Sequence, residues 1–277
     1  MQLEDEFGDI ISKAAIGCGL TAPDLARRVS LSEADLREMM AYRSIPDRHT
    51  IDKLACALGL DAQKLDAIAN NAWLPNQPDF SDHPFIIQTI RVPIGEYSEN
   101  CYIIACRSAG CAAVVDPGGA ADEIAGFIKD HGLDLSYIFL THFHFDHIGG
   151  LVPLLAYFPD ALIVSSSIGK DSAVLPGFLW QAAEDNQTFN LGKMRFTSLA
   201  TPGHTPESTC YATNSICFVG DTIFAGSIGR PAGSSVYREM LRCIQDKVLI
   251  LDSGSAILSG HGPITSIAEE RSHNPFF

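Results

Sequence analysis

Residues 134–150 read DLSYIFLTHFHFDHIGG and contain a dense cluster of side chains that can bind metal ions. The stretch opens with an apolar run, Tyr137–Leu140, of the kind that forms a buried strand. Two glycines near its end let the chain turn before a helix that we expect to begin near Leu151. Between the apolar run and the two glycines lie four side chains of types that bind metals: His142, His144, Asp146 and His147. Imidazole with carboxylate suits zinc, iron or manganese, so we predict a metal site in the loop that follows the strand.

The spacing of these side chains divides them into two pairs. His142 and His144 are two residues apart, so an extended backbone points both in the same direction. Asp146 and His147 are adjacent and point apart, which allows them to serve a second centre.

Three further candidate ligands occur later in the chain. His204 lies in TPGHT, Asp221 follows the apolar run of ICFVGDTIF, and His261 follows that of AILSGHGP. Because functional side chains of layered α/β folds gather at strand ends, we expect these residues to join the first four. Asp116, in VVDPGG, is expected to form a turn that supports the site rather than to bind metal.

The character of the sequence changes near residue 75. Residues 1–74 have helical periodicity, which predicts a small all-α domain. Its helices are expected to begin at three capping residues: Thr21, Ser32 and Asp61. Residues 75–84 contain three prolines and are predicted to be a linker. Short β-branched runs mixed with helical stretches follow, so residues 85–277 are predicted to form one α/β domain.

Residues 85–277 resemble the metallo-β-lactamase superfamily. The resemblance rests on HFHFDH, the histidine of TPGHT, the aspartate of GDT and the histidine of SGHGP, in family order, and on ENCYII and VVDPGG as opening strands. It implies an αββα sandwich that holds two divalent metal ions, with zinc favoured over iron or manganese. The first ion would be held by His142, His144 and His204. The second would be held by Asp146, His147 and His261, with Asp221 as the bridge.

This resemblance implies a hydrolase. A hydroxide shared by two cations has a pKa of about 7 or lower, against roughly 15.7 for free water, and would attack a carbonyl carbon. A metal would stabilise the developing oxyanion, and Asp146 is the predicted catalytic residue that accepts the proton of the nucleophile. Because a thiol has a pKa of about 8.5, a thiolate leaves with little acid help, which favours a thioester or lactone over an amide.

Within the superfamily the chain is similar to glyoxalase II, in particular to its short bacterial branch. GDTIFAGSIGR, residues 220–230, and the ending SGHGPITSIAEERSHNPFF carry this likeness. It implies hydrolysis of an acyl-glutathione type of thioester, with Arg230 contacting the thiol-carrying part of the substrate. Two departures predict a changed substrate rim. We expect no C-terminal helical domain of the kind that the long glyoxalases carry, and residues 229–235 read GRPAGSS where short relatives often continue GRTD.

Two other enzymes stay open as alternatives. A persulfide dioxygenase shares the overall ligand pattern and would use a single iron on three of these positions: His142, His204 and Asp221. A lactonase is the third possibility.

Residues 8–71 resemble the helix-turn-helix domain of the phage-repressor (Cro-like) family, through LTxxxLA and IxxLAxALG. A DNA-binding regulator whose metal domain senses a ligand is therefore the alternative of a different class. Charge disfavours it, because the expected reading helix, Ser32–Tyr42, carries three acids against Arg37 alone. Residues 1–78 hold eight Lys+Arg and twelve Asp+Glu, a net charge of −4. We favour a helical cap that covers the second domain or mediates a homodimer.

The composition of the whole chain also argues against DNA binding. Its 277 residues carry 33 acids and 19 bases, a net charge of −14, which disfavours a general polyanion binder. No apolar run approaches the roughly 18 residues of a membrane span. The first ten residues have four acids and no base, unlike a leader peptide. We expect a cytoplasmic protein that acts on a small-molecule thioester, without membrane or nucleic-acid partners.

Overall fold

A computed structural model describes residues 2–81, 83–95, 97–171, 175–213 and 215–277; residue 82 of the predicted linker lies outside them. The described residues form a helical N-terminal part and two six-stranded sheets with helices packed on their outer faces. The predicted α/β class, an αββα sandwich with a smaller helical part before it, is confirmed. Every helix among the described residues is too short or too polar to span a lipid bilayer.

Three of the five N-terminal helices begin at the residues expected to cap them. The side chains of Thr21 and Ser32 each accept a hydrogen bond from a backbone N–H three residues later, and Asp61 accepts two. These bonds satisfy N–H groups that have no partner inside a helix. The helices are α1 (Phe7–Gly17), α2 (Ala22–Val29), α3 (Glu33–Met40), α4 (Arg48–Leu58) and α5 (Ala62–Ala69).

The first sheet is antiparallel at one side and parallel at the other. Its strands lie in chain order: β1 (Ile86–Ile94), β2 (Tyr97–Cys106), β3 (Cys111–Val115), β4 (Asp134–Phe139), β5 (Leu162–Ser165) and β6 (Trp180–Ala182). From β3 onward all neighbours pair in parallel, and helices connect β3 to β4 and β4 to β5. Those helices are α6 (Ala121–Asp130), the single turn α7 (Phe145–Ile148) and α8 (Leu151–Tyr157), which begins where predicted.

The second sheet has the order β14-β13-β10-β9-β8-β7. Its strands are β7 (Thr188–Leu191), β8 (Met194–Ala200), β9 (Thr209–Ala212), β10 (Ile216–Gly220), β13 (Ala256–Ser259) and β14 (Thr265–Ser266). A short hairpin, β11 (Ile223–Phe224) and β12 (Ser227–Ile228), follows β10. Helices α9 (Ser234–Cys243), which continues into a π-helical turn over Ile244–Val248, and α10 (Ile267–His273) complete the chain.

Aromatic side chains join the inner faces of the two sheets. The ring centroid of Phe139 on β4 lies 5.0 Å from that of Phe196 and 4.7 Å from that of Tyr211, both on the second sheet. Buried aromatic pairs of this kind contribute about 0.5–1.5 kcal/mol beyond their buried area. This packing holds β4 against β8 and β9 of the second sheet.

The N-terminal helices share one hydrophobic core with the outer face of the second sheet. Ile10 and Ile11 of α1 are buried in the same cluster as Met240 of α9. A Cβ at Gly17 would lie 2.4 Å from the ring of Tyr237, so α1 and α9 pack closely at this point. Lys64 of α5 donates hydrogen bonds to carbonyl oxygens near the C-terminus. The helices therefore cover the second part of the chain, as favoured above; a homodimer stays a prediction.

A buried ion pair anchors the start of the chain. Lys13 pairs with Asp5, donates a hydrogen bond of 2.8 Å to the carbonyl oxygen of Ile228, and lies 4.7 Å from the centroid of the Phe224 ring. Removing one partner of such a pair leaves the other charge buried alone. We expect Lys13→Met to lower the free energy of unfolding by about 3 kcal/mol, measured by urea denaturation.

Two further variants test whether this loss of stability comes from leaving a buried charge unpaired. The double variant Lys13→Met/Asp5→Leu is expected to lose less than Lys13→Met alone, because it leaves no unpaired charge. Arg37→Met breaks the exposed pair with Glu33 and is expected to cost under about 0.5 kcal/mol. Equal losses for Lys13→Met and Arg37→Met would contradict the expectation.

Candidate metal centre

All seven predicted ligands lie at one edge of the sandwich, in segments that follow strands. His142 and His144 come after β4, His204 after β8, Asp221 after β10 and His261 after β13. The remaining two, Asp146 and His147, were expected in a loop but lie in the single helical turn α7. The backbone N–H of His147 donates to the carbonyl of His144 at 3.0 Å, which closes that turn.

The first group of candidate ligands consists of three histidines and Asp221. One atom from each of His142, His144, His204 and Asp221 lies within 4.8 Å of the others. His204 Nε2 is 3.1 Å from His144 Nδ1 and 3.5 Å from Asp221 Oδ2. Side chains of these types at this spacing could hold one metal ion.

The second group consists of Asp146, His147 and His261, whose ligand atoms also lie within 4.8 Å of one another. His261 Nε2 is 3.3 Å from Asp146 Oδ2, and His147 Nε2 is 4.0 Å from the same oxygen.

Asp221 lies between the two groups. Its Oδ2 faces the first group, 4.0 Å from His142 Nε2. Its Oδ1 faces the second, 3.4 Å from His147 Nε2 and 3.7 Å from His261 Nε2. One carboxylate therefore presents an oxygen to each group, the arrangement that the family resemblance implies for a bridging ligand.

A second observation also fits metal binding by these residues: some of their buried polar atoms have no hydrogen-bond partner. Within the described part of the chain, His142 Nε2, His147 Nε2 and Asp221 Oδ1 are buried without a hydrogen-bond partner. Buried polar atoms are normally hydrogen-bonded, so three unpaired polar atoms that face one another indicate that a ligand binds between them. Imidazole nitrogens and carboxylate oxygens are donors that zinc, iron and manganese accept.

The electrostatics of the site show strongly interacting groups. Burial would raise the pKa of the Asp221 carboxyl, but His147, His142 and His261 hold that pKa well below its usual range. Burial would lower the pKa of His147, yet Asp221 and Asp116 raise it well above its usual range. Burial, with the charge of His147, keeps the pKa of His142 well below its usual value. The pKa of each imidazole and carboxylate in the site therefore depends on the charges of its neighbours.

Protein oxygen atoms contact Nδ1 of four of the rings, and for His142 that oxygen is Thr141 Oγ1, at 3.0 Å. His147 Nδ1 is 2.9 Å from Asp116 Oδ2, His204 Nδ1 is 2.9 Å from the carbonyl oxygen of Arg230, and His261 Nδ1 is 3.0 Å from that of Ser98. Each contact leaves Nε2 free to face the centre. Asp116, predicted to support the site, does so in a turn with φ of 51° and also accepts hydrogen bonds from Thr141. The two carbonyl partners were missed, because a backbone oxygen carries no signal in the residue type.

A test of this support is the substitution Asp116→Ala. It removes the carboxylate that orients His147 while leaving all seven candidate ligands in place. We expect metal affinity to fall about 10- to 100-fold, the usual effect of losing an orienting carboxylate, as measured by competition with a chelator. Asp160→Asn, which changes an exposed carboxylate before β5, is the matched control. Wild-type affinity in Asp116→Ala would show that His147 needs no such support.

The centre opens into a cavity of about 470 Å³. Phe224, His261 and the exposed Arg230 line one side of it. The other side is supplied by the N-terminal part, including Glu4, Asp9 and Tyr42, which sequence reasoning did not assign to the site. The structure thus places Arg230 at the cavity; its contact with substrate stays a prediction.

Comparison with known proteins agrees with this geometry. Residues 94–261 match the family model described as the metallo-beta-lactamase superfamily. The probable metallo-hydrolase YqgX of Bacillus subtilis is 33% identical over 203 residues, which cover 67% of this chain and 95% of that protein. The hydroxyacylglutathione hydrolase GloC of Haemophilus influenzae is 30% identical over 207 residues, with the same 67% and 95% coverage. The solved structure of TTHA1623 in a di-iron-bound form has a TM-score of 0.55 and 27% identity, over 68% of this chain and 100% of that one.

Proposed function

The chain belongs to the metallo-β-lactamase superfamily, and on this basis we propose that it is a two-metal hydrolase that cleaves a small-molecule thioester of the acyl-glutathione type. The observation that carries the proposal is the placement of Asp221 between two groups of metal-binding side chains at the floor of one cavity. The similarity to a hydroxyacylglutathione hydrolase supports the choice of thioester.

Each group of side chains would hold one ion, with Asp221 shared between them. Divalent ions held in this way supply an acidified water molecule as nucleophile and an electrophile for the carbonyl oxygen. Zinc is the favoured metal, and iron or manganese suit the same donors.

The chain itself supplies positioning and proton transfer. Asp146 is partly exposed at the centre, and its Oδ2 can accept the proton that the attacking water gives up. The thiolate that leaves needs little acid help, so no second proton donor is required. Arg230, at the cavity, is proposed to contact a carboxylate of the thiol-carrying part of the substrate.

The first experiment is elemental analysis of protein purified without added metal, followed by thiol release from acyl-glutathione thioesters in the same preparation. We expect close to two zinc, iron or manganese per chain, together with thiol release. His147→Ala and His261→Ala each remove one ligand of the second group and are expected to lose hydrolysis. Full activity in both variants would show that the second centre is dispensable. A single iron, with oxygen consumed on glutathione persulfide and no thioester cleavage, would favour the dioxygenase alternative.

The charges on α3 disfavour the regulator alternative. On α3, Glu33, Asp35 and Glu38 are exposed, and Arg37 is held in an ion pair with Glu33. We expect no shift of DNA in a gel assay at low salt, where phosphate contacts are strongest. A shift of DNA under those conditions would support the regulator alternative.

A further inference from the structure

A second cavity lies within the helical N-terminal part, next to the one that opens over the metal centre. It has a volume of about 220 Å³ and lies between helix α5 and the segment that joins α3 to α4. Phe7, Met39, Ile45 and Ile68 give it an apolar lining. An apolar cavity of roughly 150 Å³ is large enough for benzene, so this one has room for a chain of about six carbons.

The lining of the second cavity divides by polarity. Its buried residues are apolar and include Phe7, Ile68 and Ala69, which belong to the core shared with the second sheet. Its polar residues include Ser44 and Asn71, and both are exposed to solvent. An apolar floor with polar groups in contact with water is typical of a site for an apolar ligand group.

The second cavity adjoins the cavity over the metal centre. Glu6 and Tyr42 line both of them, so one molecule can occupy the two spaces by passing these residues. Glu6 is exposed and accepts a hydrogen bond from the Gln2 side chain at 3.0 Å, which keeps its charge in water. The second cavity is therefore continuous with the proposed site of catalysis.

The residues at this junction leave apolar surface in water. Tyr42 is 54% exposed and Ile45 is 67% exposed. Tyr42 also has a φ of 60°, a left-handed conformation that is uncommon for a bulky residue. Uncommon backbone conformations cluster at ligand sites, and here the conformation places Tyr42 where the two cavities meet.

The position of the second cavity assigns it to one part of the substrate. Arg230, which we propose to contact the thiol-carrying part, lines the side of the metal cavity opposite the N-terminal part. The acyl part would then extend from the metal centre toward the N-terminal side, past Tyr42. We infer that the second cavity binds a long apolar acyl chain, so that the preferred thioester carries a straight chain of about eight to ten carbons. This inference rests on the proposed thioester hydrolysis.

The inference also gives the N-terminal helices a role. The segment between α3 and α4 and helix α5 form the walls of the second cavity, and the shared core holds them against the second sheet. The cap predicted from sequence would thus select the substrate by the length of its acyl chain.

The test measures how rate depends on the length of the acyl chain. Thiol release is followed with a series of acyl-glutathiones from butanoyl to decanoyl. We expect kcat/KM to be at least about tenfold higher for decanoyl than for butanoyl, the effect of removing two or three methylenes from water. In Ile45→Asp, which places a charge in the lining, this ratio is expected to fall to about two. Ile45→Leu is expected to keep it.

The matched control is Ile250→Asp. Ile250 is 68% exposed, as Ile45 is at 67%, and it lies outside the lining of both cavities. It is expected to keep the wild-type ratio. Because both isoleucines are exposed, neither substitution opens the core. An unchanged ratio in Ile45→Asp, or an equal fall in Ile250→Asp, would overturn the inference.

A binding measurement separates this inference from the proposed function. S-decyl and S-butyl glutathione, which have a thioether in place of the thioester, are titrated into the metal-containing protein by calorimetry. We expect the decyl form to bind at least about tenfold more tightly, and this preference to fall in Ile45→Asp. That preference without any thioester cleavage would support the acyl-chain site and refute the hydrolase. Thiol release at rates independent of chain length would leave the hydrolase intact and overturn the acyl-chain site.

Discussion

Asp221→Ala is expected to abolish hydrolysis, lowering kcat/KM by at least about 10³-fold, the scale seen when a member of a catalytic unit is removed. The reason is that the Asp221 carboxylate faces both groups of candidate ligands, 3.5 Å from His204 Nε2 through Oδ2 and 3.4 Å from His147 Nε2 through Oδ1. Loss of one carboxylate therefore weakens both centres at once. Elemental analysis is expected to find well under two metals per chain in this variant, and thiol release gives the rate.

Two controls separate loss of metal from loss of fold. Circular dichroism of Asp221→Ala is expected to match that of the wild type, because the sheets are held by apolar side chains such as Phe139 and Phe218 rather than by the centre. Asp160→Ala removes an exposed carboxylate elsewhere and is expected to keep metal content and rate. A folded Asp221→Ala protein with two metals and wild-type turnover would refute the bridging role.

Gly229→Ala is expected to be strongly damaging, although Gly229 is not a candidate ligand. A Cβ at this position would lie 1.7 Å from the carbonyl oxygen of Asp221 and 3.3 Å from the Cβ of His204. Since both neighbours are held by the core and by the centre, one backbone segment must move, at a cost of about 3 kcal/mol. We expect the thermal midpoint to fall by about 6–10 °C. The rate is expected to fall at least about 100-fold, because a shift near 1 Å at a catalytic group has that effect.

The matched control is Gly126→Ala, the same substitution in helix α6. A Cβ there meets no other atom within 4 Å, and the glycine lies in the interior of the helix. Alanine is therefore expected to raise the free energy of unfolding by about 0.5–1 kcal/mol without changing the rate. If Gly229→Ala behaved like Gly126→Ala in thermal melting and thiol release, the close approach to Asp221 would not matter.

Several features of the fold and of the candidate site could be predicted because they depend on local chemistry. The capping residues Thr21, Ser32 and Asp61 mark helix starts through hydrogen bonds to their own next turn. The run before His142 has the apolar character of a buried strand, and the structure has β4 there. The helical form of α7 was missed, because its four residues are too few to show a period.

The sequence alone identified which side chains are suited to bind metal and that they follow strands, because residue type and hydrophobic pattern are properties of short segments. Only the tertiary structure decided that Asp221 faces both groups, that the carbonyl oxygens of Ser98 and Arg230 orient two of the rings, and that Glu4 lies at the cavity. These relations join residues up to about 250 positions apart in the chain, as with Glu4 and His261, which both line the cavity. Packing of the helices and two sheets sets such distances, and backbone oxygens leave no trace in the residue type.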